Sequence, residues 1–136
     1  MTQKFTILFD LDGTLVDTAP DLVLAHNHVM KKFGFVSKPI DEIKSLVGMG
    51  AKSMFSKSLW KSAKEELKQV KEKDIKDKMV KEFINYYGNN ILVESKLVNG
   101  VRDLLIWCKE NKISMGVCTN KQEHLAIDLL KKIKIN

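Results

Sequence analysis

The sequence predicts an α/β protein in which a parallel-sheet core is interrupted by a block of helices. Three observations predict it. A short apolar run, Phe5 to Phe9, ends abruptly in Asp10 and Asp12. From Asp17 to about Ser95 the apolar residues recur at helical spacing. A second apolar run, Ile113 to Cys118, then lies between two further helical patterns. Strands separated by helices point to parallel pairing.

Phe5-Thr6-Ile7-Leu8-Phe9 mixes β-branched and aromatic residues and reads as a buried strand. Its C-terminal end carries two carboxylates one residue apart, followed by Gly13. The C-terminal ends of strands are where open α/β sheets bind ligands. Two like charges so close call for a cation, and Mg²⁺ is bound by one or two carboxylates together with phosphate oxygens. Gly13 allows a sharp turn and a close backbone approach.

The helices follow in order. Pro20 sits in a first turn, and Leu22, Val23, Ala25, His26, Val29, Met30 and Phe33 form an apolar face before Gly34 stops the helix. His26 and His28, two residues apart, point to different faces and read as packing or surface residues. Pro39 opens a short helix over about Ile40 to Leu46. Gly48 and Gly50 then make a tight loop before a helix from about Ala51 to Leu59. Ser62 to Asp77 is charge-dense with a thin apolar stripe, and is expected to be the most exposed and mobile part. Lys78 to Asn90 is a firmer helix.

The return to the core begins at Val98-Asn99-Gly100-Val101, where Asn99 is the expected N-cap. Val101, Leu104, Leu105 and Cys108 should form the inner face of a helix ending near Asn111. The strand from Ile113 to Cys118 ends in Thr119-Asn120-Lys121, and a helix over about Gln122 to Lys132 turns Leu125, Ala126, Leu129 and Leu130 inward.

Asp10-Leu11-Asp12-Gly13-Thr14-Leu15-Val16-Asp17 resembles the first motif of the haloacid dehalogenase superfamily in its phosphatase branch. Gly116-Val117-Cys118-Thr119-Asn120-Lys121 is similar to the second motif as phosphoglycolate phosphatases carry it. The resemblance covers the whole chain. It implies an incomplete Rossmann-like core at 1–16 and 96–136, with a helical cap inserted at 17–95.

The resemblance also implies a two-step phosphoryl transfer. Asp10 would be the nucleophile and Asp12 the general acid and base. Mg²⁺ would be held by the Asp10 carboxylate and the Asp12 backbone carbonyl. Gly13, Thr119 and Asn120 would bind the phosphoryl group, and the loop at Gly50 and Lys52 would face the substrate. The superfamily's later lysine and acidic motif do not occur before Asn136. The expectation is therefore an N-terminal part of a phosphatase with little activity of its own. Lys121 reads as a helix-start residue rather than a substitute for the missing lysine. The alternatives are a non-catalytic protein that binds phosphate or a partner, and a phosphomutase or pyrophosphatase of the same superfamily.

Composition narrows the partners. The chain has 136 residues, 44% apolar and 29% charged, with net charge +6. Its lysines, chiefly between Lys57 and Lys81 and at Lys131, Lys132 and Lys134, are interleaved with acids and form no arginine cluster. They read as solvated helix faces, not a nucleic-acid surface. A positive field would still draw in a small phosphorylated metabolite. Cys108 and Cys118 lack a CxxC or histidine cluster and are expected to be buried free thiols. No run is long enough to span a membrane, and the cytoplasm is the expected location. A two-stranded core leaves open edges, so a homodimer or swapped assembly is expected.

Overall fold

The computed structural model describes residues 5–54, 57 and 72–135. The expected charge-dense, mobile segment lies outside the described residues from 62 to 71. Its remainder, 72–77, is helical.

Two strands form the core sheet. β1, Thr6–Phe9, pairs in parallel with β4, Ser114–Val117, in the register Thr6 to Ser114 through Phe9 to Val117. The Cys118 N–H donates to the Phe9 carbonyl at 2.8 Å and carries the ladder one step further. This fixes where the two strands stop, and so sets residues 10–12 beside residues 119–121.

Between the strands the chain runs through α1 (Ala19–Lys32), α2 (Ile40–Lys44), a helical stretch at residues 51–54, and α3 (Glu72–Asn89). α4 (Val101–Glu110) leads into β4, and α5 (Glu123–Ile133) follows it. Among the described residues no helix is long and apolar enough to cross a membrane.

α1 forms as its spacing requires. Leu22, Val23, Ala25, His26, Val29 and Met30 are all buried, and Pro20 occupies the first turn where its missing N–H costs no helical bond. This face packs on α3 through Met79, Phe83 and Tyr87. Their burial joins α1 and α3 to Leu125, Ala126 and Leu129 of α5 in one apolar cluster.

A second ribbon was not evident from the sequence. β2 (Val16–Asp17) pairs antiparallel with β3 (Lys96–Leu97), so the outgoing and returning chains run side by side. Each strand has only two residues, too short for a periodic signal.

Several local expectations are corrected. Among the described residues the helix expected from Lys78 already runs from Glu72, and Ile75 packs against the apolar cluster. α2 is shorter than expected, ending at Lys44. The N-cap of α4 is Gly100 rather than Asn99. Its φ of 83° is a left-handed conformation that glycine adopts without strain, and no side chain caps the helix. The expected buried strands are half open: Leu8 is 67% exposed, and Met115 and Val117 are exposed too. Leu104 on α4 is likewise exposed. Cys108 is buried, but Cys118 is exposed. All these residues lie on or next to a sheet with two strands, which has too little surface to cover them.

Candidate active site

The site is built where β1 and β4 end. Asp10 follows β1 directly, and its carboxylate is exposed; Oδ1 accepts a hydrogen bond from the Leu11 N–H at 2.8 Å. The chain then turns through Gly13, whose φ is 80°. The Gly13 N–H donates to the Val16 carbonyl at 2.8 Å, and the N–H groups of Thr14, Leu15 and Val16 all point to the Leu11 carbonyl. This tight turn buries Leu11 and Leu15 and leaves Asp12 aimed inward.

The Asp12 side chain is only 5% exposed. Its Oδ1 accepts a hydrogen bond from the Thr18 hydroxyl at 2.7 Å. The same oxygen lies 3.0 Å from the Nζ of Lys121, whose side chain is also 5% exposed. Lys121 also donates to the Tyr87 hydroxyl at 3.1 Å and sits 4.4 Å from the centre of the Tyr87 ring. Burial draws the Lys121 ammonium below its ordinary pKa, while the charge and hydrogen bond of Asp12 act in the opposite direction. Burial raises the Tyr87 phenol, and the negative charges of Asp12 and Asp21 raise it further.

Lys121 stands at the helix start as expected, but its contact with Asp12 was not expected. It precedes the helix, whose N-cap is Gln122, and it faces the aspartate turn. Its position next to the strand end was the available signal. The apolar surroundings that hold it there come from α3 and were not legible locally.

Asn120 and Thr119 take different parts. The Asn120 side-chain N–H donates to the Gly48 carbonyl at 2.9 Å and so ties the strand end to the glycine loop. The Thr119 hydroxyl accepts a hydrogen bond from the Lys121 N–H at 3.1 Å. Gly48 and Gly50 have φ values of 89° and 86°, a conformation that favours glycine. With these glycines the chain doubles back over the end of β4.

A cavity of 330 Å³ lies between these pieces. Asp12, Gly50, Lys52, Tyr87, Asn120 and Lys121 are among its lining residues. Asp10, Gly13 and Thr119 are not among them, and Asp10 stands at the open strand end. The structure therefore brings Asp12, Gly50, Lys52 and Asn120 around one cavity. Among the described residues no three His, Cys, Asp or Glu side chains converge as a metal site.

Asp21 is a buried residue that the sequence reading did not single out. It accepts hydrogen bonds from the backbone N–H groups of Val93, Glu94 and Ser95 and from the Ser95 hydroxyl. An aspartate in a first helical turn is common, so its sequence position gave no hint of this role.

The family model of haloacid dehalogenase-like hydrolases matches residues 7–136. The chain is 38% identical over 126 residues to the phosphoglycolate phosphatase of Agrobacterium fabrum, covering 93% of this chain and 52% of that one. The fold is similar to the crystal structure of a predicted phosphoglycolate phosphatase from Haemophilus somnus, with a TM-score of 0.88 at 30% identity, over 99% of this chain and 60% of the other. It is also similar to a β-phosphoglucomutase from Clostridium difficile, with a TM-score of 0.78 at 26% identity, over 98% and 58%. The chain spans about half the length of the curated relatives it matches.

Proposed function

The chain belongs to the haloacid dehalogenase-like hydrolase family, and from that premise we propose that it carries the nucleophile and the acid/base of a Mg²⁺-dependent phosphatase for a small phosphomonoester, phosphoglycolate being favoured. The observation that carries the reading is the side-by-side ending of β1 and β4, which sets Asp10 and Asp12 against Thr119, Asn120 and Lys121.

Asp10 attacks phosphorus through its exposed carboxylate and holds the phosphoryl group as an acyl phosphate. Asp12 donates a proton to the leaving alkoxide, then takes one from the water that cleaves the acyl phosphate. The Asp12 carboxylate is oriented by Thr18 and Lys121 and lines the cavity. Thr119 supplies a hydroxyl near the phosphoryl oxygens. Gly50 and Lys52 line the cavity where the rest of the substrate would lie.

The residues present fit Mg²⁺ in part. Asp10 offers a hard, exposed oxygen at the strand end, already oriented by the Leu11 N–H. The Asp12 carboxylate is engaged by Lys121, so its contribution would come from the backbone carbonyl. When bound, the ion would neutralise charge on the transferring phosphoryl oxygens.

We assign residues 17–95 to a helical cap and residues 1–16 and 96–136 to the core. Two free thiols suit a reducing compartment such as the cytoplasm. Among the described residues no cation is paired with Asp10. One missing preorganised charge commonly costs about 10²–10³ in rate, so we expect slow turnover from this chain alone. The likeness to a β-phosphoglucomutase favours a second reading, in which the phosphoryl group passes to a sugar hydroxyl.

The test is incubation of the chain with Mg²⁺ and either phosphoglycolate or acetyl phosphate, followed by acid quenching and mass spectrometry. The expected result is a phosphoryl group on the peptide containing Asp10. Its absence with every donor, in folded protein, would refute the nucleophile assignment. Transfer onward to glucose phosphate faster than to water would favour the mutase.

A further inference from the structure

Beyond its contact with the Asp12 carboxylate, the buried lysine at the end of β4 takes no part in the chemistry described so far. We propose that Lys121 is a positioning residue for the Asp12 carboxylate, held in place from the inserted helix α3 by Tyr87. The inference rests on the acid/base reading of Asp12.

The geometry carries it. An ammonium has three donors. One faces Asp12 Oδ1 at 3.0 Å and one faces the Tyr87 hydroxyl at 3.1 Å. The Tyr87 ring lies against the same cation, with its centre 4.4 Å away. Tyr87 is fully buried and stacks on Phe83, centroids 5.7 Å apart, so its hydroxyl cannot swing freely. The lysine is therefore fixed at both ends, by its backbone beside Thr119 and by its ammonium against α3.

Lys121 borders the cavity, but a lysine serving as a bare anion receptor would stand there with its charge unpaired. This one is neutralised by Asp12 and shielded to 5% exposure. The Thr18 hydroxyl reaches the same Oδ1 from the opposite direction along the chain, on the segment that leads into α1. Among the described residues both hydrogen-bonding partners of the Asp12 carboxylate thus meet on Oδ1. One oxygen held by two donors sets the plane of the rigid carboxylate and with it the place of the other oxygen, which carries neither contact. Tyr87 lies in the inserted block and Lys121 in the returning core segment, so this chain of contacts makes Asp12's orientation depend on how α3 sits over the core.

The test measures the rotamer directly, on the 136-residue chain. Three-bond couplings to Asp12 Cγ report its χ1 angle. The wild type should show a single rotamer. Lys121→Met should lose it to averaging, Lys121→Arg should keep it, and Tyr87→Phe should lose it in part. Resolved Nζ–H signals from the Lys121 ammonium should exchange slowly in the wild type and faster in Tyr87→Phe. A single Asp12 rotamer in folded Lys121→Met would overturn the proposal, since Thr18 would then suffice. Should Lys121→Met unfold, the wild-type ammonium decides: exchange as fast as that of surface lysines overturns the proposal. Failure of the acid/base reading looks different. The rotamer results would stand, but Asp12→Asn would leave decay of the acyl phosphate on Asp10 unchanged, and the positioning role would fall with it.

Discussion

The Ser95 hydroxyl donates a hydrogen bond of 2.6 Å to Asp21 Oδ2 across 74 residues of sequence. The backbone N–H groups of Val93, Glu94 and Ser95 donate to the same carboxylate at 2.9 to 3.1 Å. Asp21 is 3% exposed. A carboxylate in the first turn of α1 thus gathers the strand-free segment that returns toward β3, and it satisfies three N–H groups that would otherwise lack partners.

Asp21→Ala removes the acceptor and leaves those N–H groups to find water or go unpaired. Hydrogen bonds to a charged group contribute about 1.5–3 kcal/mol each, and they are not additive. The expected loss for Asp21→Ala is about 3 kcal/mol, within the range for breaking a buried network. Asp21→Asn keeps one oxygen and should lose less. Urea unfolding of the chain measures both, and a loss under about 0.5 kcal/mol for Asp21→Ala would class it with ordinary surface changes.

What the sequence showed and what it hid divide by range. The apolar faces of α1 and α5 were legible because a helix repeats its buried positions every three or four residues. The ends of β1 and β4 were legible because the aspartate turn and the Thr119–Asn120 pair are local signals. Asp21, Lys121 and the β2–β3 ribbon were not. Each depends on partners more than thirty residues away: Ser95 for Asp21, Tyr87 for Lys121, and Lys96 for Asp17. The exposure of Leu8, Met115 and Cys118 was hidden for another reason. An apolar run tells what a strand prefers to bury, not how many neighbours it finds.

Asp10→Asn keeps the shape of the strand end but loses the nucleophile. It should abolish phosphoryl incorporation, while the thermal midpoint stays within a few degrees of the wild type because the Asp10 side chain is exposed. Incorporation at the wild-type level in this variant would show that another residue accepts the phosphoryl group.

Gly50 has a φ of 86°, and a Cβ there would come 3.8 Å from the Asn120 carbonyl oxygen. Space is available, so the cost of Gly50→Ala is conformational, about 1–2 kcal/mol for a left-handed residue. If this loop contacts substrate, uptake of the phosphoryl group from phosphoglycolate should fall more than uptake from acetyl phosphate. Equal loss from both donors would leave the loop as a helix connection only.

His26 is buried in α1, and burial holds its pKa below the ordinary 6.5, with the charge of Lys38 adding to the effect and the Asn27 hydrogen bond opposing it. The unfolded chain therefore binds a proton that the folded chain resists. Stability should be full above the unfolded value of 6.5 and fall as pH drops below it, levelling once pH passes the folded value. Glu82 acts in the same direction, at lower pH. The Lys32 and His28 contacts depress it, so its contribution is lost only as pH falls below its ordinary 4.5. The Glu82 loss therefore begins below both pH values of the test. Urea midpoints at about pH 7.5 and pH 5.5 should differ in the wild type and converge in His26→Gln; an unchanged difference would exclude His26 as the source.

The last prediction concerns association. Leu8 is 67% exposed, and it lies over Gly116, where a Cβ would come within 3.0 Å of its Cδ2. Met115 and Val117 on β4 are exposed, as are Ile106 and Trp107 on α4, which are 50% and 52% exposed. Apolar side chains exposed on both faces of the sheet and on its flanking helix favour association, and among the described residues β1 and β4 pair only with each other, which leaves outer edges as templates for pairing. We expect the chain to self-associate at micromolar concentration. Leu8→Lys places a charge on the exposed sheet, with little packing to lose at that exposure, and should shift the population toward monomer without lowering the urea midpoint. Light scattering coupled to size exclusion measures both proteins over a concentration series. A wild-type chain that stays monomeric throughout would show that this surface is not sticky enough to pair, and an associated Leu8→Lys variant would place the contact elsewhere on the molecule.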